Sequence, residues 1–127
     1  MNIEIAQAGL FDESSRHARL LEYRLKASVG VDAIKTVLKD LVQQAQAVPG
    51  LNLNLAFGSA CWDRLNPAWR PDELVPFETL ATTELSMPGT QSDVFIWLNS
   101  PDAELIPQAV IEIYHQMKPI ADIELDL

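Results

Sequence analysis

The sequence contains a single cysteine, Cys61. That excludes a disulfide within the chain and leaves a cysteine-based zinc site without its ligands. A lone thiol fits a reducing compartment. Basic residues are also scarce: nine Lys and Arg stand against eighteen Asp and Glu, a formal net charge of −9. A field of that sign repels phosphate backbones and anionic lipid, which argues against nucleic-acid binding and polybasic membrane attachment. Long apolar runs are missing. Runs such as Val94 to Leu98 fall far short of the ~20 residues that cross a bilayer. The opening stretch, Met1 to Gly9, contains Glu4 and has neither a basic start nor a long apolar segment. No signal peptide is expected, and the expected location is cytoplasmic. No internal repeat or low-complexity tract stands out.

The 127 residues are 48% hydrophobic and 21% charged. That is the make-up of an ordinary globular protein, not of a disordered one. A chain of this length buries roughly 65% of its unfolded surface, and a single domain over 1–127 is expected.

Hydrophobic spacing sets out the elements. Ala18 to Lys26 alternates as a strand, with Leu21, Tyr23 and Leu25 on one face and Leu20, Glu22 and Arg24 on the other. Gly30 breaks it. Val31 to Val48 reads as a helix, with Ile34, Val37, Leu38, Leu41, Val42 and Ala45 in one stripe; Pro49 and Gly50 stop it. Leu51 to Phe57 is the cleanest strand, its leucines and Phe57 alternating with Asn52, Asn54 and Ala56. Gly58 to about Asp93 reads as a long irregular loop with a helical turn over Cys61 to Leu65. Its aromatics suggest that it packs against the body of the molecule.

Val94 to Leu98 is apolar on both faces and reads as a central strand. Ser100 then predicts an N-cap, with Pro101 at the first helical position. Ile106, Val110, Ile113 and Met117 supply the next helical stripe. Pro107 predicts a kink or a late start, and Pro119 ends the helix. Asp122 to Leu127 is the last strand, its acids Asp122, Glu124 and Asp126 expected on one face. The order βαββαβ, with right-handed crossovers, predicts an α+β ferredoxin-like domain: a four-stranded antiparallel sheet with two helices on one face. The first and third strands are then central. The other face of the sheet is left with no sequence to cover it, and a weak homodimer, sensitive to salt and pH, is one way to bury it.

Three stretches together resemble the N-terminal half of the dye-decolourising (DyP-type) haem peroxidases. They are His17-Ala18-Arg19-Leu20-Leu21-Glu22-Tyr23, Phe57-Gly58-Ser59-Ala60-Cys61-Trp62-Asp63-Arg64-Leu65, and Met87-Pro88-Gly89-Thr90-Gln91-Ser92-Asp93-Val94-Phe95-Ile96. The resemblance covers nearly the whole chain but under half of a typical member. It implies two ferredoxin-like domains, with haem held mainly by the second. It also implies a Gly-x-x-Asp-Gly motif after the first domain, and a later His and Arg at the iron and at peroxide. This sequence contains no Gly-x-x-Asp-Gly. No catalytic, cofactor-binding or metal-binding residue is therefore carried over. The expectation is a peroxidase-family N-terminal half without turnover of its own, partnered by a missing C-terminal haem-binding half. The alternative is a non-catalytic binding or assembly module that dimerises through its open sheet face.

The residues that could carry chemistry each have a plainer role. His17 and His115 are the only imidazoles; a haem ligand needs a deep apolar pocket, and surface or capping roles are expected instead. Cys61 reads as a small buried apolar group, not a reactive thiol. Trp62, Trp69 and Trp97 read as packing anchors, not redox sites, with Trp62 held under the long loop. Asp122, Glu124 and Asp126 could attract a hard cation, but a solvated edge paired with Arg24 is expected. Ser59, Thr90, Gln91 and Asp93 suit turn chemistry.

Overall fold

The computed structural model describes residues 5–127; Met1 to Glu4, part of the opening stretch in which no leader is expected, lie outside them. Strand β1 runs His17–Leu25, helix α1 Val31–Gln46, strand β2 Asn52–Phe57 and helix α2 Ser59–Leu65. A small hairpin follows, β3 Leu80–Ala81 and β4 Ser86–Met87. Strand β5 is Val94–Ser100, helix α3 Leu105–Met117 and strand β6 Ala121–Asp126. The main sheet has the order β2-β5-β1-β6, every pair antiparallel. This is the expected ferredoxin-like α+β fold, with β1 and β5 central.

Alternation builds the core. Leu21, Tyr23 and Leu25 of β1 and Val94, Ile96 and Leu98 of β5 all point to the helix side and are buried. Ile34, Leu38, Leu41 and Ala45 of α1 meet them, as do Ile106, Val110, Ile113 and Met117 of α3. The 3.6-residue stripe and the period-two stripe thus close on one another.

Three local expectations change. Ser100 is not a helix cap but the buried last residue of β5; its Oγ donates to Gly50 O at 2.8 Å and accepts from the Asp102 N–H at 3.0 Å. Helix α3 starts only at Leu105, the late start that Pro107 predicts, so Pro107 falls in its first turn, where no intrahelical N–H bond is lost. The supposed loop contains the β3–β4 hairpin, whose turn is tied by Thr82 Oγ1 accepting from the Leu85 N–H at 3.0 Å.

The third change concerns β6. Its register against β1 slips between Glu22 and Tyr23: Glu22 faces Leu125, whereas Tyr23 faces Ile123. Glu124 is the extra residue of a bulge, which reverses the in–out alternation. The three acids therefore do not share a face. Asp126 turns to the helix side, where Arg19 Nη2 donates to it at 2.7 Å and Tyr114 also donates to it.

The open face is not bare either. Residues 7–12 lie over its β2–β5 side, with a 3-10 turn at Ala8–Phe11. The Gln7 side-chain amide accepts from Leu55 N–H and donates to Leu55 O, standing in for a strand neighbour at the β2 edge. Asn99 Nδ2 donates to Gly9 O at 2.9 Å, and Asn52 Nδ2 donates to Asp12 at 2.8 Å. Gly9 sits so close that a Cβ there would meet the Asn54 amide at 2.6 Å.

Candidate interaction site at the open face of the sheet

The three stretches that carry the resemblance meet at one end of the sheet. Gly58 follows β2 and caps α2. Its N–H donates to Asp93 O at 3.0 Å, and a Cβ on it would lie 2.5 Å from Ser92 O. Asp93 in turn donates its N–H to Tyr23 O at 3.0 Å, and its carboxylate accepts from Leu25 N–H at 2.8 Å. Gln91 clamps the loop from the other side: its amide accepts from Phe77 N–H at 2.6 Å and donates to Phe77 O at 2.9 Å. Arg64 of α2 donates to the carbonyls of Lys26 and Val29, fixing the β1–α1 turn. Gln91 thus bonds loop backbone, whereas the Asp93 carboxylate bonds the last residue of β1. Ser59 opens α2, and the Thr90 N–H returns to Pro88 O.

This clamped loop forms one wall of a cleft on the β1–β6 side of the open face. Glu22, Arg24, Glu124 and Leu125 form the other. Arg24 donates to Glu124 at 2.7 Å and to Gln91 O at 2.8 Å. Ser92 Oγ lies 2.9 Å from a Glu22 oxygen and 2.6 Å from a Glu124 oxygen. One hydroxyl proton can serve one of them at a time. Arg24 first, then Ser92, hold the Glu124 carboxyl below its ordinary value. The cleft can recognise polar groups. Among the described residues no three His, Cys, Asp or Glu side chains come together as metal ligands.

The remaining candidates take structural places. Cys61 is 3% exposed, and burial pushes its thiol up to about 11, so it stays protonated and unreactive at neutral pH. Trp62 is only half-buried. It stands edge-on between Phe57 and Trp69, both at 6.2 Å, and its Nε1 donates to Trp69 O at 2.7 Å. Trp69 is 62% exposed, which corrects its reading as an anchor. Trp97 lies on the open face. His17 and His115 are both exposed, at the start of β1 and on the outer side of α3. Neither lines the open-face cleft or the apolar groove between α1 and α3. An axial haem imidazole sits in an enclosed apolar site, and neither of these exposed side chains stands in one.

The sequence matches the family described as Dyp-type peroxidase, N-terminal, over residues 7–126. The chain belongs to that family. Solved structures agree on the fold of this DyP-type domain. A dye-decolorizing protein from Vibrio cholerae superposes with a TM-score of 0.76 at 20% identity, covering 95% of this chain and 42% of that one. The encapsulated DyP-type peroxidase from Mycobacterium smegmatis gives 0.70 at 22% identity, covering 86% and 37%. A dye-decolorizing peroxidase from Bacteroides thetaiotaomicron gives 0.68 at 15%, covering 91% and 40%. The DyP-type domain described here therefore spans about two fifths of the length of these proteins. A family member from Rhodococcus jostii has been solved in complex with heme. No curated protein matches the sequence.

Sequence reasoning missed the segment over the sheet, although a signal for it was present. Asn52 and Asn54 alternate with leucines on a half-covered strand, and buried amides need polar partners.

Proposed function

We propose that this chain is the scaffolding N-terminal half of a DyP-type haem peroxidase and that by itself it does not turn over peroxide. The observation that carries this reading is the family match over residues 7–126 in a domain whose two imidazoles are both solvent-exposed. Haem would be held by a C-terminal half, and this domain would dock to it through the β1–β6 side of the open face. The exposed Leu80, Leu85 and Met87 of the hairpin support such a partner, since their loop runs directly into Gly89 at the edge of the cleft. A cytoplasmic setting is part of the same reading. Among the described residues no helix is long and apolar enough to cross a membrane, and the one cysteine is a free thiol.

Haem titration of the purified 127-residue chain tests this. Weak or no binding is expected, with no peroxidase activity above that of free haem. A one-to-one complex with a sharp Soret band, lost in His17→Ala or His115→Ala, would overturn the reading.

The homodimer is the weaker reading. The segment over β2–β5 already occupies half of the open face, and the free half presents Glu22, Asp122 and Glu124, which a second copy would repel. Light scattering at low and high salt distinguishes the two. A tight dimer at low salt would favour the assembly module.

A further inference from the structure

The helix layer leaves a gap. Where α1 and α3 lie side by side near β2, the small side chains of Ala45 on α1 and Ala109 on α3 both line a gap between the helices. The result is an apolar groove of about 170 Å³ floored by Leu51 and Leu53. An apolar cavity of about 150 Å³ is enough to take up benzene, so this one has room for a single ring or a short alkyl chain.

The rim selects the rest of the ligand. Among the described residues its only ionisable side chains are Glu104 and Glu112, and no basic one lines the groove. Glu112 is steadied by Gln108, whose Nε2 donates to it at 3.1 Å. The chain's net charge of −9 adds to the same field. An organic anion is repelled from such a mouth, and a neutral molecule gains only from the apolar floor. A cation gains from both.

We propose that the α1–α3 groove binds a small apolar molecule bearing a primary ammonium group, its ring or alkyl body against Ala45 and Ala109 and its charge at the rim, toward Glu104 or Glu112. The site lies on the opposite side of the sheet from the cleft assigned to the C-terminal half and does not depend on that assignment.

The test is a titration of the isotope-labelled chain, read at the Ala45 and Ala109 methyl resonances, with benzylammonium, benzyl alcohol and benzoate as probes. Saturable shifts at both methyls are expected at about millimolar benzylammonium. Benzyl alcohol should bind about three- to ten-fold more weakly, as two partly screened carboxylates allow, and benzoate more weakly still. The double variant Glu104→Gln/Glu112→Gln should bring benzylammonium and benzyl alcohol together. Ala109→Leu should abolish binding of all three by filling the groove. The proposal is overturned by benzoate binding as well as benzylammonium, by shifts that do not saturate at these methyls, or by a double variant that keeps the preference. Should Ala109→Leu fail to fold, the surface double variant decides alone.

Discussion

Gly58 and Gly30 form a matched pair that isolates one packing effect. Each precedes a helix as its N-cap. Their backbones are nearly the same, φ −67° and ψ 157° for Gly58 against φ −69° and ψ 151° for Gly30. Both conformations suit any residue, so neither glycine is required for its dihedral freedom. Replacing either by alanine reduces unfolded-state entropy, a gain of about 0.4–1 kcal/mol, and loses a few tenths at the cap. The surroundings differ. A Cβ on Gly30 meets nothing within 4 Å, whereas one on Gly58 lies 2.5 Å from the carbonyl oxygen of Ser92. That obstacle is main chain and cannot rotate away. Ser92 is also held by its neighbours, through the Gly58 N–H to Asp93 O bond and the Asp93 clamp on β1. Overpacking of this kind costs about 1–3 kcal/mol, and straining the adjacent hydrogen bond adds about 1 kcal/mol. Gly58→Ala should therefore lose about 2 kcal/mol, and Gly30→Ala should stay within about 0.5 kcal/mol of wild type. Urea unfolding followed by tryptophan fluorescence gives both, provided the m-values agree. Equal losses in the two variants would refute the claim that Gly58 is there for close approach.

Trp62→Ala should cost about 1–3 kcal/mol, less than a fully buried aromatic, because Trp62 is only partly buried; a loss above about 4 kcal/mol would contradict that placement. Arg19 holds the Asp126 carboxyl below its ordinary value. A carboxylate lowered in the folded state contributes stability above its unfolded pKa and loses it as pH falls through the folded one. The difference in melting temperature between wild type and Arg19→Leu should thus be largest near neutral pH and shrink below about pH 4. A difference that grows on acidification would reverse the assignment. Cys61 should resist a disulfide reagent in the folded chain at pH 8 and react on unfolding. Because burial raises its folded pKa from the ordinary 9.0 to about 11, the stability it contributes is intact below pH 9 and declines up to about pH 11. A Cys61→Ala variant with an unchanged alkaline limb would contradict this.

The parts of the fold that could be read in advance are those in which each residue's neighbour is decided by its own period. Helix α1 and strands β1, β2 and β5 carry their patterns within themselves, and their ends move by only one or two residues. The start of α3 was misread because Ser-Pro-Asp suits two structures. Ser100 could cap a helix, but it is held back in β5 by a bond to Gly50, fifty residues away. The β3–β4 hairpin has two residues per strand, too few for any alternation to register. Close approach was equally invisible. Gly89 stands where a Cβ would lie 2.3 Å from Phe77 O, and nothing in Pro-Gly-Thr-Gln names Phe77 as the neighbour.

The site depended most on the one feature that no single strand encodes. Asp122, Glu124 and Asp126 have a period of two, and period two places acids on one face only while the register runs unbroken. Register belongs to the pair of strands, and the slip opposite Glu22 and Tyr23 divides the set. Had the alternation continued, the open face would carry all three acids together with Glu22 against Arg24, a patch that repels any acidic partner. With the bulge, Asp126 leaves for Arg19 and Tyr114 on the helix side. Glu124 is neutralised by Arg24, and Leu125 turns up beside Glu22 in the cleft. One inserted residue thus converts an acidic edge into a mixed surface with an apolar residue in it, the kind of surface that a second domain can cover.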